Sequence, residues 1–150
     1  LICGDGNALH QFLHVDDAAL CFANVVGKPH CIGQTYNMVK PGYIKRADYH
    51  RTAMQVMGRE VELVSVPFHD LQKLNVPSFG ICADIFSHHC YYSAEKLFRV
   101  VPDFQPPISF ADGIPRVLEE LDREGRVPDS SKEDWEDKII AAQRRVTGSG

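Results

Sequence analysis

An α/β fold with a few short strands and about five helices is what this sequence predicts, from three observations. Segments rich in β-formers alternate with helical apolar stripes along most of the chain. Glycine and proline punctuate the switches, at Gly27 and Pro29, at Pro41 and Gly42, at Gly58 and at Pro67. The 150 residues, 44% hydrophobic and 24% charged, have an ordinary globular composition and suffice for one modest domain.

Taken in order, residues 11–15 (Gln-Phe-Leu-His-Val) alternate as a short strand, and Asp16-Asp17 supplies an N-cap carboxylate for the helix that follows. Ala19, Phe22, Ala23 and Val26 recur at helical spacing and form its expected buried stripe. Residues 35–39 read as a second strand, closed by Pro41-Gly42. A helix with Tyr49, Ala53, Val56 and Met57 on one side ends at Gly58 in a left-handed cap, and residues 61–66 form a third strand stopped by Pro67.

Residues 68–92 carry only a weak helical signal near Asp70 to Leu74, broken by Pro77, Ser78 and Gly80, and read as loops and short helices. Ser93 caps a brief helix through Phe98, after which Pro102, Pro106 and Pro107 force an extended connection. Ser109-Phe110-Ala111-Asp112 resembles a capping box, and Ile114, Val117, Leu118 and Leu121 make the most regular apolar stripe of the chain. Pro115 predicts a tight first turn or a kink there. A linker at Val127-Pro128-Asp129-Ser130 precedes a last helix starting near Ser131, with Trp135, Ile139 and Ala142 as a thin apolar face, and residues 147–150 read as a flexible tail. The expected partition is a body over 1–127, a linker and helix over 128–146 and a tail over 147–150.

Net charge is −4 with acids and bases interspersed, so no basic stripe points to a nucleic-acid backbone. The five cysteines are odd in number and contain no Cys-x-x-Cys pair, as expected of reduced thiols in a cytoplasmic protein. No apolar run reaches the length of a membrane span. The chain opens on Leu1 rather than Met and enters Gly4-Asp5-Gly6 as though from an upstream strand, so it reads as a fragment or processed product.

Candidate chemistry is sparse. His88-His89-Cys90 has no second ligand pair at zinc-like spacing, and adjacent strand residues face opposite ways, so no metal is expected. His10 and His14 would share one face of a strand, a natural polar wall for a pocket, and Gln11 lies between them. Asn37 sits in an apolar segment, where its amide must be satisfied or offered to a ligand. Gly4 and Gly6 lack the third glycine and the following helix of a dinucleotide-binding loop.

Gly4-Asp5-Gly6 followed by Gln11-Phe12-Leu13-His14-Val15-Asp16-Asp17-Ala18-Ala19 resembles a segment of the NAD-dependent epimerase/dehydratase family, the extended short-chain dehydrogenases. Gly33-Gln34-Thr35-Tyr36-Asn37 is similar to that family's Gly-x-x-Tyr-Asn strand. Tyr92-Ser93-Ala94-Glu95-Lys96-Leu97 and Val101-Pro102-Asp103-Phe104-Gln105-Pro106 resemble later family segments in the same order. The resemblance implies the C-terminal, substrate-binding portion of an extended Rossmann-type epimerase. It implies NAD or NADP as cofactor of the parent enzyme, held by a missing N-terminal Rossmann part together with the catalytic Tyr-x-x-x-Lys pair. Tyr92 and Lys96 match that spacing but lie in a different family segment, so no residue of this chain is assigned a catalytic role.

What remains by resemblance is contact with a nucleotide-sugar or related small molecule through His10, Gln11, His14 and Asn37. His10 stands where the family commonly has an arginine that meets a nucleotide phosphate, and Tyr92 replaces an aspartate. Two other readings follow from the same fold: an RNA-binding module that gave up the chemistry, distinguishable by salt-sensitive affinity, and a structural homodimer partner, distinguishable by concentration-dependent melting.

Overall fold

A computed structural model of the chain describes residues 1–73 and 80–148. It has the expected mixed α/β architecture, with strands reduced to two-residue bridges. β1 (Ile2–Cys3) pairs in parallel with β4 (Ser65–Val66), Ile2 opposite Ser65 and Cys3 opposite Val66. β2 (Leu9–His10) pairs antiparallel with β3 (Ile44–Lys45), His10 opposite Ile44. The helices are α1 (Val15–Val25), α2 (Arg46–Met57), α3 (Phe68–Lys73), α4 (Glu95–Val100), α5 (Phe110–Arg123) and α6 (Trp135–Thr147). Short 3-10 turns occupy Pro29–Cys31 and Ser130–Lys132, and a π turn occupies Cys82–Phe86.

Two apolar cores hold these pieces. Cys3, Val66, Leu71 and Ile139 join β1, β4, α3 and α6, with Trp135 packed alongside, so the last helix docks through the face its sequence advertised. Cys21, Leu97, Val101 and Phe104 join α1 to α4, with Tyr36 and Met38 against them. A third contact, between α2 and α5, is aromatic. Phe12, Tyr49 and Phe110 form a triangle with ring centroids 5.0, 5.1 and 4.8 Å apart, within the range where such pairs attract beyond their buried area.

Several elements follow their local chemistry. Gly58 ends α2 at φ 60°. Ser109 caps α5 by accepting from the Asp112 amide and donating to its carboxylate, and α5 runs through Pro115 as a continuous helix. Ser93 Oγ accepts from the Glu95 amide ahead of α4.

Others depart from the sequence reading. Residues 11–14 are not strand, because β2 ends at His10 and His14 is already the N-cap of α1, its Nδ1 accepting from the Asp16 amide at 3.2 Å. Asp16-Asp17 is therefore not the cap. Asp17, 2% exposed, instead accepts from the Ile108 amide at 3.1 Å and braces α1 against the segment before α5. That register turns Asp17 and Cys21 inward, and the expected buried stripe faces outward: Phe22 is 62% and Val26 77% exposed. Residues 35–38 alternate in burial as a strand would, but residues 35–39 pair with no described strand. Only Ser65–Val66 of the expected third strand is paired. The final helix begins at Trp135 rather than near Ser131, and it includes Thr147 of the expected flexible tail. Leu74, Pro77, Ser78, Ser149 and Gly150 lie outside the described residues.

The chain exposes 10299 Å², whereas a self-contained monomer of its 16.8 kDa mass exposes roughly 7,600 Å². No described helix is long and apolar enough to cross a membrane.

Candidate functional site

β2 and β3 form one wall of a cleft of about 260 Å³, lined by His10, Gln11, Phe12, Lys40, Tyr43 and Phe110 among others. The Pro41-Gly42 turn, with Gly42 at φ 91°, brings Lys40 and Tyr43 to its mouth. His10 is 5% exposed, its ring edge-on to Phe86 at 5.6 Å, and its Nε2 is buried without a partner among the described residues. Burial lowers its pKa from the ordinary value, with a smaller push from the Arg46 and His89 charges, against a backbone hydrogen bond at Phe86 that raises it. The net shift favours the neutral imidazole.

Gln11 ties the walls together: its amide nitrogen donates to the Lys40 carbonyl at 3.2 Å, and its carbonyl oxygen accepts from the Tyr92 amide at 2.7 Å. It thereby fixes the relative position of the 40–44 and 91–93 segments. Behind the cleft, the Arg46 guanidinium lies 4.0 Å from the Phe86 ring centroid and 4.7 Å from that of Tyr49, in cation–π geometry.

The four residues singled out from sequence do not form one site. His10 and Gln11 share the cleft. His14 lines a separate, mainly apolar groove of about 390 Å³ between α2 and α5. There Gly113 presses so closely that a Cβ would lie 2.9 Å from His14 Cδ2. The shared strand face expected for the two histidines fails because the chain leaves strand conformation between them. Asn37 is exposed and donates to the Ser93 carbonyl at 3.3 Å, so its amide is satisfied away from both cavities. Sequence reasoning missed Lys40, Arg46 and Phe86. A lysine beside a Pro-Gly turn reads as solvated, and only the fold brings Phe86 to His10.

Among the described residues, no group of three or more His, Cys, Asp or Glu side chains has metal-site geometry. His89 Nδ1 accepts from the Leu9 amide at 3.1 Å, and His88 packs edge-on to Phe68.

No protein-family model matches the chain, and no curated protein sequence does. Solved structures do match its fold. dTDP-glucose 4,6-dehydratase from Bacillus anthracis, in complex with NAD, aligns with TM-score 0.59 and 18% identity over 81% of this chain and 34% of that one. UDP-glucuronic acid 4-epimerase from Bacillus cereus, in complex with UDP-glucuronic acid and NAD, aligns with TM-score 0.59 and 14% identity over 81% of this chain and 34% of that one. The enzyme WbmF from Bordetella bronchiseptica, in complex with NADH, aligns with TM-score 0.55 and 19% identity over 96% of this chain and 35% of that one. The fold is thus that of part of a Rossmann-type epimerase or dehydratase, and the chain spans about a third of the length of these neighbours.

The Gly4-Asp5-Gly6 turn does not have the setting of a pyrophosphate-binding loop. Gly6 owes its lack of side chain to α2, since a Cβ there would meet Ala47 Cβ at 2.9 Å, and the Gly4-Asp5-Gly6 turn leads into β2 rather than into a helix N-terminus.

Proposed function

We propose that this chain is the substrate-binding part of an NAD(P)-dependent nucleotide-sugar epimerase or dehydratase, not catalytic by itself. The cofactor and the proton-transfer pair belong, on this reading, to a Rossmann part that covers the exposed face of α1. The observation that carries it is the fold match to nucleotide-sugar enzymes across four fifths or more of the chain.

Two physical features support it. Surface in excess of a compact monomer by roughly a third accompanies apolar side chains left open on and after α1, where Val15, Phe22, Val26 and Ile32 are 62–80% exposed. The cleft at His10 and Gln11 has the mixed aromatic and polar lining that a nucleotide-sugar requires.

Thermal-shift titration with UDP-glucuronic acid, dTDP-glucose, NAD and NADP tests the proposal, because a ligand of the folded state raises the melting temperature. Stabilisation by a nucleotide sugar and not by NAD or NADP is the expected result. Stabilisation by a dinucleotide alone, or by neither class, would overturn it.

A further inference from the structure

We infer that the groove between α2 and α5 is a second ligand site, taking a small uncharged aromatic molecule that offers one hydrogen-bond-accepting oxygen to His14 Nε2. The site goes beyond the nucleotide-sugar reading and does not depend on it.

His14 supplies the polar point. Its Nδ1 accepts from the Asp16 amide at 3.2 Å as the cap of α1. An imidazole that accepts at one nitrogen carries its proton on the other, so Nε2 is a donor. The His14 side chain is 9% exposed, and Nε2 is buried with no hydrogen-bond partner among the described residues. A buried donor left unpaired is rare and costly. The neighbouring polar groups are committed elsewhere. The Ser109 hydroxyl, which also lines the groove, is engaged with the Asp112 amide and carboxylate. Asp16 lies on the Nδ1 side, its carboxylate 3.5 Å away and shared with Arg116 at 3.6 Å.

The rest of the groove sets the kind of molecule. Its volume, about 390 Å³, falls within the size range of small-molecule sites. Phe12, Tyr49 and Phe110 bring three packed rings to the lining, and Ile114, Val117 and Leu118 bring aliphatic surface. A further planar ring extends such a cluster through the offset or edge-on contacts that aromatic pairs favour. No Lys, Arg, Asp or Glu lines the groove, so a charged ligand would give up its water without a counter-charge in return. A single donor in an apolar wall selects for a single acceptor.

The absence of a side chain at Gly113 lets the Cδ2–Nε2 edge of the imidazole approach α5: a Cβ there would lie 2.9 Å from Cδ2 and 3.8 Å from Nε2. Met57 and Val117, 43% and 48% exposed, line the same groove. The ligand oxygen reaches Nε2 as these exposed chains move aside, of which Met57 is unbranched and adaptable. Phe12 and Phe110 also line the His10–Gln11 cleft, so the test includes competition from that side.

Binding of 2-acetylnaphthalene, 2-ethylnaphthalene and 2-naphthoate, similar in size and differing in acceptor and charge, is measured on the 150-residue chain and on its His14→Phe and Val117→Trp variants. Titrations are followed by nuclear magnetic resonance with the imidazole nitrogens labelled, and the melting temperature of each protein is recorded first as a folding control. The ketone is expected to bind the natural chain about threefold or more tightly than the hydrocarbon and to move the His14 Nε2 resonance. That advantage is expected to vanish in His14→Phe, as a double-mutant cycle between donor and acceptor requires. Naphthoate is expected to bind about tenfold or more weakly than the ketone. Val117→Trp, filling the groove from a half-exposed position, is expected to weaken ketone and hydrocarbon alike.

Equal affinity for ketone and hydrocarbon, an advantage that survives His14→Phe, or binding of none of the three at their solubility limits would each overturn the site. Displacement of the ketone by UDP-glucuronic acid would also overturn it, by making the groove part of the nucleotide-sugar site. Should His14→Phe not fold, the natural chain and Val117→Trp decide: a ketone that leaves the Nε2 resonance in place, or binds Val117→Trp unchanged, overturns the inference.

Discussion

α1 and α5 each carry an apolar stripe at helical spacing, yet the protein uses the two differently. Ile114, Leu118 and Leu121 of the α5 stripe are half-buried and Val117 is 48% exposed; Ile114, Val117 and Leu118 line the groove beside Tyr49. The stripe of α1 points outward, while Asp17 and Cys21 turn in. Periodicity identifies an apolar face but not its partner. On α1 the choice of inward face is made by two tertiary contacts, the Asp17 bond to the Ile108 amide and the packing of Cys21 on Leu97, Val101 and Phe104.

If that contrast is right, the core beneath α1 is sensitive and its outer face is not. Phe104→Ala, at a side chain 0% exposed, is expected to cost about 3–5 kcal/mol in chemical denaturation; a cost below about 1 kcal/mol would mean that α1 does not pack here. Gly113→Ala tests the α5 side. Its Cβ would sit 2.9 Å from His14 Cδ2, and the displacement that follows is expected to cost about 1–3 kcal/mol, lowering the melting temperature without altering the cleft.

Acid comes next in size. Burial, aided by the Arg46 charge, lowers the His50 pKa from 6.5 to about 4. A depressed histidine contributes stability that is complete above its unfolded value and is lost as pH falls through the folded one. Stability should accordingly decline between pH 6.5 and about 4, by about 1–2 kcal/mol from this group once its partial exposure is discounted. His50→Gln should flatten that slope, measured as the denaturation midpoint against pH. Ser109→Ala, removing the α5 cap, is expected to cost about 1 kcal/mol. Phe22→Ser, on the exposed face of α1, should change stability by less than about 0.5 kcal/mol and reduce self-association in sedimentation. A large loss of stability would show that this face is covered within the chain.

The same contrast explains what could be read from the residues. Features decided within a few residues were legible: the Gly58 cap of α2, the Ser109 cap of α5, and the docking face of α6 through Trp135 and Ile139. Features decided by distant partners were not. The two-residue bridge of Leu9–His10 with Ile44–Lys45 leaves too little alternation to register as strands. Tyr36 and Met38 pack as strand residues would, against the Leu97 core, without a described ladder partner. His10 and Gln11 are singled out by the segment's resemblance to a family motif, whereas Lys40 lines the same cleft from 29 residues beyond Gln11, a pairing no local pattern encodes.

The most direct test of the account is to follow the backbone amide resonances of the chain while UDP-glucuronic acid is added. Shifts gathered at His10, Gln11 and the 40–44 segment, with α1 unperturbed, are the predicted result. Shifts confined to α1 or to the α2–α5 groove, or none at saturating ligand, would contradict it.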